Sequence, residues 1–216
     1  MARAARRGPL DSFFLRKMNR SVEKATLAKI KKLAAISAGL QNGENYSITR
    51  LTTLKSLCSD RKAAAQFALH IAKLAEAEAT EQVRPQHLNM STRRQHKEQI
   101  VKAVGGLESY VQRSTASKKM ALYNELAAVK DINCEYQPYR WGQVRIIQNR
   151  YALIVENSLR CVLSETAEDA GFWAYHAARA YAEQYDPQYG TGLIPQSAPM
   201  MQEIVRFWSE YYGVEL

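Results

Sequence analysis

Apolar residues recur every three or four positions along nearly the whole chain, and the helix breakers fall between these repeats. From Ser12 to about Ala38, Phe14, Met18, Val22 and Ala25 share one side of a helix, which Leu33 and Ile36 continue. Gly39 reads as its stop and the stretch QNGEN as a turn. Ser47 reads as the cap of a short helix through Leu57, and Ser59 or Asp60 as the cap of a longer one. In that longer helix Phe67, Ile71, Leu74 and Ala75 form a stripe, with alanines beside it that let a neighbouring helix come close. Pro85 falls in a loop, and helix resumes near Thr92. Gly105-Gly106 is expected to weaken or break it, because each glycine costs about 1 kcal/mol relative to alanine in a helix interior. A further helix is expected from about Ser117 to Lys130.

The stretch NCEYQPYRWGQVRIIQNRY, residues 133–151, interleaves aromatics with arginines. Pro138 disfavours helix at Gln137, so INCEYQPYRWG reads as a loop or hinge. A helix is then predicted from about Gly142 to Leu163, with Val144, Ile147, Tyr151, Val155 and Val162 on one side. Arg145 and Arg150 point away from that stripe, and Glu156 and Arg160 are spaced for an i,i+4 pair. Tyr136, Tyr139, Arg140 and Trp141 remain as a candidate aromatic contact for stacked bases. Thr166 to Asp169 resembles a capping box. The helix after it, to about Tyr185, buries Ala170, Trp173, Ala174, Ala177, Ala178 and Tyr181, which makes Trp173 a core residue and leaves Trp141 less fixed. Asp186-Pro187 stops it, and QYGTGLIPQ reads as a loop. Ser197 reads as the cap of a last helix with Ile204, Val205, Trp208 and Tyr211 or Tyr212 on its apolar side, ended by Gly213. No sustained strand alternation or fixed repeat is seen. The predicted fold is all-α, roughly seven or eight helices in a bundle-like array. Its expected organisation is a basic flexible arm at 1–11, a basic helical part at 12–115 and an aromatic-rich, mildly acidic helical part at 116–216.

Composition fits a packed fold: 46% of the 216 residues are hydrophobic, enough for a core. No apolar run approaches the roughly 18 residues that cross a bilayer. The basic start MARAARRGPL is not followed by the apolar segment of a secretory signal, although an arginine-rich, acid-poor start is compatible with a transit peptide. The expected location is therefore the cytoplasm or an organelle interior. Cys58, Cys134 and Cys161 are too few and too widely spaced for a disulfide framework or a zinc pattern.

Known chemical motifs are missing. The residues three places before His70, His87, His96 and His176 are Phe67, Arg84, Arg93 and Trp173, so the Glu-x-x-His pairs of di-metal bundles do not occur. Gly190-Thr191-Gly192 has no preceding predicted strand and makes a poor nucleotide cradle. Ser59-x-x-Lys62 and Ser21-x-x-Lys24 match a nucleophile spacing without its companion motifs. Cys161 sits among apolar residues and reads as a packed thiol. His176, with Tyr175, Arg179 and the 186–196 loop, marks the place where a pocket would have to form. No catalytic residue, cofactor or metal is predicted.

Charge supplies the strongest lead. The net charge is +9, but residues 1–120 carry 23 Lys/Arg against 9 Asp/Glu, net +14, while residues 121–216 carry 7 against 12, net −5. Lys17, Arg20, Lys24 and Lys31 fall at i, i+3, i+7 and i+14, one face of the first helix, and Arg3, Arg6 and Arg7 precede it. Arg93, Arg94 and Lys97, followed by Lys102, form a second cluster. A cationic stripe with an arm can follow a phosphate backbone and release its counterions. The expected function is a non-catalytic helical protein whose basic half contacts nucleic acid or a ribonucleoprotein. The alternative is an adaptor or assembly factor whose cationic helix docks an acidic protein, and the same helix is also compatible with peripheral contact with an anionic membrane. The lysine and arginine stripe is expected to outrank Tyr139, Arg140 and Trp141 in binding.

Overall fold

A computed structural model describes residues 9–58, 60–81, 90–138, 144–186 and 190–216. Among them are eight α-helices: α1 Pro9–Gln41, α2 Thr53–Leu57, α3 Arg61–Glu81, α4 Met90–Gln112, α5 Ala116–Asn133, α6 Arg150–Leu163, α7 Ala167–Ala182 and α8 Ala198–Tyr212. Two small antiparallel ribbons interrupt the array, β1 Cys134–Pro138 with β2 Val144–Gln148, and β3 Gln184–Asp186 with β4 Gly190–Gly192. The helical array is the predicted fold class; the ribbons were not foreseen.

Two hydrophobic clusters fill the interior, and α3 and α6 stand between them. The first joins α1, α2, α7 and α8 to one side of α3, around Leu33, Leu54, Phe67, Ala174 and Trp208, with Ile154 and Cys161 from α6. The second joins α4 and α5 to α6 through Val104, Leu107, Leu122, Val155 and Leu159, with Ala72 from α3. Tyr151 is half-buried against both. Helix α4 packs on α3, α5 and α6, whereas α1 packs on α8 and α2.

Several helix ends follow the expected chemistry. The Ser47 side chain accepts from the Thr49 N–H at the start of the Ile48–Thr52 turn of 3-10 helix. Asp60 caps α3 by accepting from the Ala63 N–H at 2.8 Å; Ser59, the other candidate, lies outside the described residues. Thr166 accepts from the Asp169 N–H at 3.0 Å, and Gly213 ends α8 at φ 62.

Elsewhere the structure corrects the pattern. Helix α1 runs through Gly39 to Gln41, and the chain turns at Gly43, whose φ of 87 suits glycine. Gly39 instead leaves room for the Tyr46 ring, which its Cβ would strike. Ala25 is exposed rather than part of the apolar face, which runs through Ile30, Leu33, Ile36 and Leu40. Gly105-Gly106 does not break α4: a Cβ on Gly106 would sit 3.4 Å from Leu122 of α5, and Gly105 faces open space. Residues 144–148 are strand, not helix. Val144, Ile146 and Ile147 are β-branched, pairing with β1 satisfies the backbone, and α6 starts only at Arg150, where the Asn149 side chain accepts from the Ala152 N–H. The QYGTGLIPQ segment likewise contains β4, and Leu193 bridges to Tyr46. Ser197 makes no cap bond to α8; its Oγ accepts from the Ile194 N–H at 3.2 Å.

Arg150 also departs from expectation. It turns inward, donating from Nε to the Ala180 carbonyl at 3.0 Å and from Nη2 to the Tyr181 carbonyl. A cation there satisfies terminal carbonyls of α7 and opposes its dipole. The tryptophan assignment changes too. Trp173 is half-buried, whereas Trp208 is fully buried against Phe67 at a ring separation of 4.9 Å.

Two measurements follow. Trp208→Ala is expected to cost about 3–5 kcal/mol in a urea titration, the range for deleting a buried aromatic, with a smaller loss for Trp173→Ala. Gly105→Ala is expected to raise stability by about 0.5–1 kcal/mol, since the site is helical and open; Gly106→Ala should gain less, because its new methyl meets Leu122.

Candidate functional site

Helix α1 buries one face and presents a second whose chemistry is simple. Between residues 24 and 38 the exposed positions are Lys24, Ala25, Ala28, Lys31, Lys32, Ala35 and Ala38. This face carries lysines and alanines with no carboxylate among them. Lys24 and Lys31 lie seven residues apart, about 10.5 Å along the axis. Lys24, Lys31 and Lys32 form no ion pair among the described residues. Lys17 and Arg20 lie on the same helix, but the structure describes only their backbone. Arg3, Arg6 and Arg7 lie outside the described residues.

The second basic cluster is different. Arg94 donates to Glu98 at 2.7 Å, and Lys102 pairs with Glu125 at 2.9 Å. Lys97 is half-buried, and the side chain of Arg93 is not among the described parts. Surface pairs of this kind add little stability, but each sets a carboxylate against the positive charge of Arg94 or Lys102. This cluster sits on α4, whose buried side belongs to the second hydrophobic cluster, whereas the α1 face backs onto the first.

Of the candidate aromatic contact, Tyr139, Arg140 and Trp141 lie outside the described residues, and Tyr136 is described only as backbone within β1. The base of that ribbon is well defined. The Asn149 N–H donates to the Asn133 carbonyl at 2.8 Å, and Asn133 Nδ2 donates to Glu156 Oε2 at 2.7 Å. Glu156 also accepts from Arg160 Nε at 2.9 Å and Nη2 at 2.7 Å, the i,i+4 pair expected from the spacing. The Arg160 guanidinium lies 4.7 Å over the Trp173 ring.

A third feature lies where α2 meets α7. Lys55 Nζ stands 4.8 Å from the Tyr175 ring centroid and 5.2 Å from that of Phe172. The His176 ring is 4.3 Å from Phe172 and 5.1 Å from Tyr175. Beside them a cleft of about 460 Å³ is lined by Lys55, Cys58, Ala167, Glu168, Asp169 and Phe172. Burial lowers the His176 pKa from its ordinary value, and the Arg179 and Lys55 charges lower it further. Arg179 is itself paired with Glu183 at 3.1 Å. The sequence grouped His176 with Tyr175 and Arg179 on one helix. It gave no sign of Lys55, which arrives from a separate helix.

Three consecutive residues of α2 tie this region together. Lys55 sits over the α7 rings, the Ser56 carbonyl accepts from Lys29 Nζ of α1 at 3.2 Å, and the Leu57 carbonyl accepts from Tyr212 Oη of α8 at 3.2 Å. The approach of α2 to α7 needs Gly171, since a Cβ there would lie 3.2 Å from the Cys58 carbonyl and 3.4 Å from that of Lys55.

Other chemistry finds no support. Cys58 and Cys161 are buried, and burial pushes the Cys161 thiol up to about 12, far from a reactive thiolate. Among the described residues no group of three or more His, Cys, Asp or Glu is placed to hold a metal, and no helix is long and apolar enough to cross a membrane. No family model, curated protein or solved structure matches this chain.

Gly171→Ala is expected to destabilise the protein in a denaturant titration, despite alanine's better helix propensity. The added methyl meets backbone carbonyls, and overpacking of this kind costs about 1–3 kcal/mol. Acid should also weaken the fold. His176 and His70 both have lowered pKa values, chiefly through burial. The unfolded chain therefore takes up protons more readily, so stability is full above the unfolded value of about 6.5 and declines as pH falls through it. Proton NMR of the folded protein should place the His176 titration below that of a free histidine.

Proposed function

We propose that the protein is a non-catalytic helical binding protein whose α1 face contacts the phosphates of nucleic acid. The observation that carries this reading is the face of Lys24, Lys31 and Lys32, whose other exposed positions between residues 24 and 38 are alanines, with no ion pair to a carboxylate among the described residues. Alanine keeps the surface low, so a phosphate strand can lie close to the helix. Lysine contacts of this type position a nucleic acid without reading its sequence. The uneven charge supports the same reading, with the excess of cations confined to residues 1–120.

The test is a salt-titrated binding isotherm for the parent and for the triple variant Lys24→Glu, Lys31→Glu and Lys32→Glu. The parent is expected to bind unrelated sequences with similar affinity and to lose affinity steeply with salt. The variant should bind much more weakly, with a salt slope smaller by about one for each lost phosphate contact. Its melting curve should change little, because exposed charge substitutions are usually worth within about ±0.5 kcal/mol each. A folded triple variant that binds like the parent would overturn the assignment. Failure of the parent to bind nucleic acid even at low salt, with recovery of an acidic protein partner, would favour the adaptor reading.

A further inference from the structure

We propose that Asn42, in the turn that follows α1, is a site of spontaneous deamidation, in which the Gly43 amide nitrogen and water convert its side-chain amide to a carboxylate. The inference is independent of the phosphate-binding reading of α1.

Of the eight asparagines in the chain, only Asn42 precedes a glycine. The reaction needs the backbone nitrogen of the next residue to reach the asparagine side chain, and glycine hinders that approach least because it has no Cβ. The fold keeps this access open. Asn42 and Gly43 are both exposed, Gly43 takes a φ of 87, and nothing lies within 4 Å of where its Cβ would stand. Other asparagines are less favoured. Asn133 is buried and bonded to Glu156, Asn157 is buried, and the Asn149 side chain is committed to the cap of α6. Asn45 and Asn124 are exposed, but Tyr46 and Glu125 follow them.

One bond restrains the reaction. The Gly43 N–H donates to the Leu40 carbonyl at 3.1 Å. This bond belongs to the end of a helix, where fraying is common and local opening costs least. Each opening frees the nitrogen.

The chemistry balances with water alone. Hydroxide takes the proton from the Gly43 nitrogen, which then attacks the carbonyl carbon of the Asn42 side chain. The new C–N bond closes a cyclic succinimide, and the side-chain nitrogen leaves as ammonia with a proton from water. Water then opens the ring. Attack at the side-chain carbonyl gives aspartate. Attack at the backbone carbonyl gives isoaspartate, in which the main chain runs through the former side chain. Nothing is oxidised or reduced.

The place of Asn42 gives the product a structural effect. The Glu44 N–H donates to the Gly39 carbonyl at 2.9 Å, and Tyr46 bonds in both directions with Leu193, at 2.8 and 3.0 Å. The turn therefore sets where Tyr46 lies over Gly39 and joins it to the residue after β4. Isoaspartate adds a carbon to the main chain between Asn42 Cα and the Gly43 nitrogen, which moves Gly43 and Glu44 off their carbonyls. Either product also places a negative charge at the C-terminal end of α1, where the helix dipole opposes it and Glu44 is already exposed.

The experiment ages the full-length parent and Asn42→Gln in mildly alkaline buffer, with a portion of the parent held in urea and fresh Asn42→Asp as a reference. Mass spectrometry of the digested protein follows each asparagine and distinguishes isoaspartate from aspartate, and a melting curve is recorded at each time. The folded parent is expected to convert at Asn42 before any other asparagine, with isoaspartate among the products. Its Tm should fall by about 2–4 °C, the shift of a modest local loss in a chain of this size. That fall should exceed the one in fresh Asn42→Asp, because only the aged chain carries the lengthened backbone. Asn42→Gln should keep its Tm over the same period, since its longer side chain closes a ring less readily. If Asn42 converts only in urea, or no sooner than Asn124, the site is overturned. If the folded parent converts at Asn42 yet melts like fresh protein, the effect assigned to the turn is overturned.

Discussion

Helix α6 is covered on nearly every side, and that burial constrains the elements around it. Its buried residues include Glu156, Asn157 and Ser158 as well as the apolar stripe. A buried carboxylate is costly unless its hydrogen bonds are met inside the protein. Glu156 meets them with Asn133, the last residue of α5, and with Arg160 one turn along its own helix. Ser158 returns its hydroxyl to the Ile154 carbonyl at 2.9 Å. The packing around α6 and the position of α5 are therefore linked by one anionic group. The bond to Asn133 fixes the point from which the β1–β2 ribbon leaves the bundle, and the Asn149 N–H closes it on the way back.

With α6 and α3 serving both hydrophobic clusters, α1 has only its inner face to bury, against α8 and α2. Between residues 24 and 38 its outer face is left to water, and lysine and alanine occupy it. Helix α4 also faces solvent, yet it spends Arg94 and Lys102 on neighbouring carboxylates. Two clusters that look alike in a count of basic residues thus differ in what they present. The proposed binding reading draws on that difference.

Much of this was legible in the sequence, for identifiable reasons. The spacing of Phe67, Ile71 and Ala75, the Thr166 cap, the Glu156–Arg160 pair and the Gly213 stop are local signals set by the geometry of one helix. The failures came where a residue answers to a distant partner. Gly39 and Gly106 looked like breakers, but they make room for Tyr46 and for Leu122. Val144 and Ile147 happened to match a helical spacing, while strand pairing with β1 decided their conformation. Trp173 and Trp208 each lie on an apolar stripe, and only the packed fold reveals which one is enclosed. For the candidate sites, Lys24 and Lys31 were legible because one helix face defines them. The Lys55–Phe172–His176 group was half legible, since its lysine comes from a five-residue helix far away in the chain.

That five-residue helix has its own consequence. A helix so short is unstable alone, because nucleation costs more than its few hydrogen bonds return. Lys55, Ser56 and Leu57 hold their positions through α7, α1 and α8 respectively. Helix α8 is the last of these to leave the ribosome, long after Lys55 itself. The arrangement of Lys55 beside Phe172 is thus assembled late in synthesis, when the chain has supplied all three supports. Any ligand that needs this arrangement would distinguish a chain that already includes α8 from a shorter nascent one.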